Sequence, residues 1–210
     1  MKYLVVTSLL VFISLFSCKK EELDFKFSGN VKAPETGENI QNAAVKIYTY
    51  STGDNIETLK GSTTTDASGN YDIAVERSKF ETLVIRVSKK NYFIDEKTYP
   101  IDDLTTEDQN AITHFLSPKS WTKFILKKGG VTASNDHIKI QKVSGKTDCE
   151  DCCKNETKFY YGNEDLDVYC LNDGNKYMKF YWWTIGSNTS NGIDSIYNTP
   201  FDTTSFTINY

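Results

Sequence analysis

A period of two constrains this chain most. Tyr71, Ile73 and Val75 alternate with polar residues in NYDIAV, Leu83, Ile85 and Val87 do the same in TLVIRVS, and Val45, Ile47 and Thr49 share one side of AAVKIYTY. Successive side chains of a strand point to opposite faces, so each run reads as a strand with one apolar face. Phe25–Val31, Glu57–Thr65 and Ala111–Leu116 add further short runs. Between them lie PETGEN, STGDN and TDASGNY, rich in the Gly, Asn, Asp and Pro that turns need. No stretch has convincing helical periodicity. The expectation is an all-β chain of antiparallel β-sandwiches.

The same grammar resumes after Pro118. Trp121–Lys128, His137–Val143, Leu166–Leu171, Lys176–Ile185, Gly192–Tyr197 and Thr204–Tyr210 make about six more strands. Asp173-Gly174 in NDGN is a hairpin signal suited to two positive φ angles, and Ser190–Gly192 reads as another turn. With 210 residues, 39% hydrophobic and 25% charged, the chain has enough apolar material for two small cores and is neither disordered nor a membrane bundle. We therefore expect two sandwiches in tandem, residues 24–117 and 118–210, joined by a short linker near Ser117–Ser120 with limited hinge freedom. Tyr210 falls inside the last expected strand, so its loss should destabilise the second sandwich.

The N-terminus carries an address. Lys2 precedes an apolar core from Leu4 to Phe16, which as a helix spans only about 20 Å, short of the ~30 Å hydrocarbon layer. It reads as a signal peptide rather than a span. Leu15-Phe16-Ser17-Cys18 resembles a bacterial lipobox, with Phe16 where a smaller residue is usual. The resemblance implies a signal peptide over 1–17, lipidation of Cys18, and a tether over 18–23. Multiple acyl chains supply stable membrane anchoring. Lys19-Lys20-Glu21-Glu22 resembles the lysine-plus-acidic signals that carry some Gram-negative lipoproteins to the outer face of the outer membrane. The expected location is the outer membrane, lipid-anchored at the cell surface.

A second resemblance covers Asp24 to Leu116. Gly29-Asn30-Val31, Thr36-Gly37, Ala43-Ala44-Val45 and TTTDASGNY with Asp66, Gly69 and Tyr71 follow one another as in carboxypeptidase regulatory-like domains. The resemblance implies a small transthyretin-like sandwich. Asn42 and Ala43 stand where that family often has Gly and Ala. The zinc and the peptidase chemistry associated with the family lie in a separate domain. Nothing here supplies one: the two histidines, His114 and His137, sit in no H-x-x-E or H-E-x-x-H pattern. His114 belongs to an expected strand, where it faces solvent or packs structurally. His137 follows a turn.

Besides Cys18 there are four cysteines: Cys149, Cys152, Cys153 and Cys170. In an exported chain they imply two disulfides, with three possible pairings. A vicinal Cys152–Cys153 bridge would be strained, so one of these two should pair with Cys170. A four-thiolate metal site and free thiols are the alternatives, and an oxidising compartment disfavours both.

Tyr181, Trp182 and Trp183 in KFYWWT are the candidate ligand-binding residues, because aromatic faces stack on sugars and peptides. Strand parity divides them: Phe180 and Trp182 point one way, Tyr181 and Trp183 the other, and one set must be core. Asp165 and Asp167, two apart on a strand, share a face and read as a solvated edge rather than a catalytic pair. No calcium-loop pattern occurs, and no catalytic, metal or cofactor site is expected. The net charge is −4, with no basic stripe, which excludes nucleic acid as a natural partner. Removing residues 1–17 takes away Lys2 and leaves about −5. The expected function is a non-catalytic envelope module that contacts the membrane through its anchor and binds or scaffolds an envelope protein. The alternative is a carbohydrate-binding accessory to a nutrient-uptake system.

Overall fold

The computed structural model describes residues 23–51, 53, 56–129, 135–161, 164–187 and 189–210. The expected signal segment over 1–17, Cys18, the Lys19–Glu22 charge run, Gly130 and part of the Ser51–Asn55 loop lie outside the described residues. Among the described residues the chain forms fourteen strands and one three-residue 3-10 turn, Ile101–Asp103. It is all-β, as the alternation requires.

The first seven strands are β1 (Phe25–Lys32), β2 (Ala44–Tyr50), β3 (Glu57–Thr64), β4 (Asn70–Val75), β5 (Thr82–Ser88), β6 (Asp95–Pro100) and β7 (Gln109–Phe115). They build one sheet in the order β4-β1-β7 and another in the order β3-β2-β5-β6. The inward residues of each strand meet between the sheets: Phe27, Val31, Val45, Ile47, Leu83 and Ile85 are fully buried. Each such side chain contributes about 1.5–3 kcal/mol on leaving water.

The motif residues of this half have structural work. Gly29 on β1 lies between Tyr71 on β4 and Ile112 on β7. A Cβ there would fall 1.8 Å from the Ile112 carbonyl oxygen. The Tyr71 hydroxyl donates to that same oxygen at 3.1 Å. Asp66 accepts from the Ser68 and Asn70 amides, both at 2.8 Å, and closes the turn into β4. Gly69 takes φ +75°, and a Cβ there would fall 2.8 Å from the Val31 carbonyl oxygen. Asn42 adopts φ +54°, which explains why glycine would suit that position and why asparagine, the side chain most tolerant of this region, serves instead. His114 is fully buried on β7 and hydrogen-bonds Asp95 of β6 at 2.6 Å, tying together the open edges of the two sheets. Burial pushes the Asp95 carboxyl up, but the bond and charge of His114, with Lys97 and the Phe115 amide, outweigh it and hold the carboxyl below its ordinary value.

The second half contains β8 (Lys119–Lys127), β9 (His137–Ser144), β10 (Thr157–Tyr161), β11 (Leu166–Asp173), β12 (Lys176–Ile185), β13 (Ser190–Asn198) and β14 (Thr203–Asn209). Its sheets run β11-β8-β14 and β10-β9-β12-β13. Phe124, Leu126, Ile138, Met178, Phe180 and Ile208 form the centre of the core. Both cores are drawn wholly from residues 25–210, so a chain from Lys19 onward contains everything they need.

Several expectations need correction. β1 pairs with β7, and β8 with β14, in parallel, whereas alternation alone suggested antiparallel sheets throughout. β6 and β10 are edge strands that the sequence reading missed. The hairpin expected at NDGN does not form: β11 and β12 belong to different sheets, so the turn carries the chain from one sheet to the other, and its positive φ falls on Asn175, at 61°, and not on Asp173-Gly174. Gly174 is needed instead for closeness, since a Cβ would approach Pro200 Cα to 2.8 Å. Ser190–Gly192 is not a turn. It opens β13, and the reversal precedes it at Gly186, φ +129°.

The linker is held on both sides. Phe93 N donates to Ser117 O at 2.9 Å and Lys119 N to Asn91 O at 2.8 Å, toward the first sandwich. Gly174 N donates to Pro118 O and Phe201 N to Lys119 O, both at 2.7 Å, toward the second. Tyr92 meets Phe201 edge to face at 5.1 Å, and Lys176 pairs with Glu35 at 2.9 Å. These contacts leave less hinge freedom than the short linker alone implied.

Candidate functional site

The outward side of the β10-β9-β12-β13 sheet is an aromatic face. Register brings together residues far apart in sequence: Phe159 of β10 lies opposite Lys139 of β9, which lies opposite Trp183 of β12. One row away, Tyr161 faces His137, and on the other side Gln141 faces Tyr181, which faces Ile193. Tyr181 and Trp183 are stacked at 5.7 Å, Phe159 and Tyr161 have ring planes only 7° apart, and His137 stacks on Tyr161 at 4.7 Å. Tyr161 is 65% exposed, Phe159 49% and Tyr181 40%, so these rings are not core. Tyr177 and Tyr197 extend the face as an edge-to-face pair at 5.2 Å. From strand geometry the face is about 15 Å across and about 30 Å along β12.

The three sequence candidates therefore divide as parity required. Tyr181 and Trp183 stand on this face. Trp182 stands on the opposite side, packed against the core beside Phe180. Its indole N–H donates to Asp194 at 2.8 Å, and its ring covers Gly192, where a Cβ would come within 2.9 Å. Trp182 is a structural residue. The sequence reading missed Phe159, Tyr161 and Lys139, because only the sheet register places them beside Trp183.

The cysteines form the disulfides Cys149–Cys152 and Cys153–Cys170. Among the described residues no group of three or more His, Cys, Asp or Glu could hold a metal ion. The disulfide loop is fastened from within by Lys142, an inward-facing residue of β9 that is 4% exposed. Its ammonium donates to the Cys153 carbonyl at 2.9 Å and to that of Lys146. Burial pushes the Lys142 pKa down to about 8, although Asp173 and Asp148 oppose the shift. Beside the loop a cavity of about 760 Å³ is lined by Trp121, Tyr169, Glu150, Lys154 and the disulfide sulfurs' residues. The two lysines that line it already have partners: Lys154 with Thr147 O at 3.0 Å and Lys158 with Glu156 at 2.5 Å.

Asp165 and Asp167 each pair with a different lysine. Asp165 accepts from Lys127 at 2.5 Å and from the Lys128 amide, in that order the causes of its lowered pKa. Asp167 is taken by Lys123.

No protein-family model matches the chain, and no curated protein does. The resemblance of residues 24–116 to carboxypeptidase regulatory-like domains thus rests on its motif residues. Among solved structures, the Bacillus anthracis TIE protein matches at 11% identity and TM-score 0.39, over 89% of this chain and 34% of that one. The streptococcal ancillary pilin matches at 12% and 0.38, over 90% and 63%, and the minor pilin of Streptococcus agalactiae at 12% and 0.36, over 88% and 94%. The chain spans about a third of the length of the first and under two thirds of the second. Likenesses at these scores carry no weight for function.

Proposed function

We propose that this chain is a non-catalytic binding module of the cell envelope, lipid-anchored through Cys18 at the outer membrane surface. Its reading face is the aromatic side of the β10-β9-β12-β13 sheet, and it holds a glycan there by stacking. The observation that carries this reading is the exposure of Phe159, Tyr161 and Tyr181, with the half-buried Trp183 stacked beside Tyr181, on one sheet face that the core does not need. Soluble proteins rarely leave a contiguous apolar surface of this kind without use. Aromatic rings bury the apolar face of a pyranose while leaving its hydroxyls wet, and the rigid strands hold the rings at no further entropic cost. The cavity at Trp121 is the weaker choice, because its cations are already engaged.

The test is a glycan array with the chain from Lys19 onward and its Trp183→Ala and Tyr181→Ala variants. We expect reproducible glycan binding that falls at least tenfold in Trp183→Ala. Absence of any glycan signal, or binding indifferent to Trp183→Ala, would overturn the reading. An envelope protein recovered in its place would make the face a protein-scaffolding surface.

A further inference from the structure

Resting on that reading, we infer that the ligand of the aromatic face is an anionic polysaccharide, one bearing carboxylate or sulfate groups. The aromatic face carries cations without carboxylates. Several cations elsewhere are paired, Arg86 with Glu57 and Glu96, Lys123 with Asp167, Lys127 with Asp165 and Lys176 with Glu35. Among the described residues no ion pair joins either ammonium of the face, Lys139 or Lys179, to a carboxylate, and Lys139 lies 5.2 Å over the Phe159 ring. No outward position of β9, β10, β12 or β13 carries Asp or Glu. Two nearby acidic residues are engaged off this face, Asp194 by the Trp182 indole and Glu156 by Lys158. A chain with net charge −4 thus presents one face that is aromatic, positive and free of carboxylates.

Placement strengthens the inference. Lys179 lies on β12 two positions before Tyr181, and Lys139 lies across from Trp183. The ammonium-bearing residues therefore flank the Tyr181–Trp183 pair, with Cα atoms about 14 Å apart by strand geometry. A sugar chain stacked on the two rings would pass both cations in turn. A neutral polymer would gain only the stacking. An anionic one gains two charge-assisted contacts as well, and its repulsion by the acidic chain is lowest here.

The experiment measures affinity for matched pairs of polymers: polygalacturonate against its fully methyl-esterified form, and chondroitin sulfate against its desulfated, esterified form. The protein is the chain from Lys19 onward, with Lys139→Gln/Lys179→Gln and Trp183→Ala variants. The lysines are on the surface and outside both cores, so the double variant should keep the fold, and its unfolding midpoint checks that. We expect one acidic polymer to bind at least tenfold more tightly than its neutral partner, with the preference weakening as salt rises. The double lysine variant should lose most of that preference, whereas Trp183→Ala should lose binding to both forms. Equal binding of charged and neutral forms overturns the anionic assignment and leaves the glycan reading standing. Binding to no polymer, acidic or neutral, overturns both. Binding confined to phosphatidylglycerol vesicles also overturns both and makes the face a membrane contact.

Discussion

Replacing Lys142 by methionine offers a direct measure of what a buried cation costs this fold. In the folded chain its pKa is pushed down to about 8, against an ordinary value of 10.5. Below pH 8 the ammonium is charged in both folded and unfolded chains, and folding bears the full cost of burying it. Above 10.5 it is neutral in both, and that cost is gone. Between the two the unfolded chain binds a proton that the folded chain does not, so stability must rise with pH. At 1.36 kcal/mol per pH unit the rise amounts to about 3 kcal/mol. Methionine has the same reach and no charge. It also leaves the Lys146 and Cys153 carbonyls without their donor, but that penalty does not vary with pH. Urea unfolding of both proteins at steps from pH 7 to 10.5 isolates the effect, because the titrations of other residues are shared and cancel in the difference. The wild type should gain on Lys142→Met by about 3 kcal/mol across this range. A flat or falling difference would show that the ammonium is solvated and that the loop is not fastened as described.

Two further outcomes test the fold. Gly29→Ala would push a methyl group into the Ile112 carbonyl, separating β1 from β7. We expect a loss of at least about 3 kcal/mol, seen as a lowered unfolding midpoint of the first sandwich. Peptide mapping without reduction should recover Cys149–Cys152 and Cys153–Cys170. Cys153→Ala/Cys170→Ala, which opens a loop with a sequence separation of 17, should cost about 3 kcal/mol in thermal unfolding, and mixed pairings would refute the assignment.

Local pattern carried much of this architecture. Strands such as β4, NYDIAV, and β12, KYMKFYWWTI, fall where alternation places them, because one face is buried and the other wet. β6, DEKTYP, escaped because an edge strand with exposed charges looks like a loop, and β10 has only five residues. The parity of Tyr181, Trp182 and Trp183 was legible, but the identity of the core side was not. It depends on Gly192 accepting the Trp182 ring and on Asp194 accepting its N–H. The face itself is a product of register. Phe159, Lys139 and Trp183 become neighbours through β9 pairing with both β10 and β12, and no local pattern marks that.

The parallel pairing of β1 with β7 has a mechanical consequence. In a parallel pair the chain enters at one end of the ladder and leaves at the other, so Phe25 and Phe115 lie at opposite ends of the first sandwich. Tension applied between the N-terminal side of β1 and the linker would act along the strands and load the interstrand hydrogen bonds together, in shear. An antiparallel hairpin pulled from its two adjacent ends would open one bond at a time. Were the chain anchored at Cys18 and bound to a polymer as proposed, the first sandwich would meet a load in flow along its stronger axis.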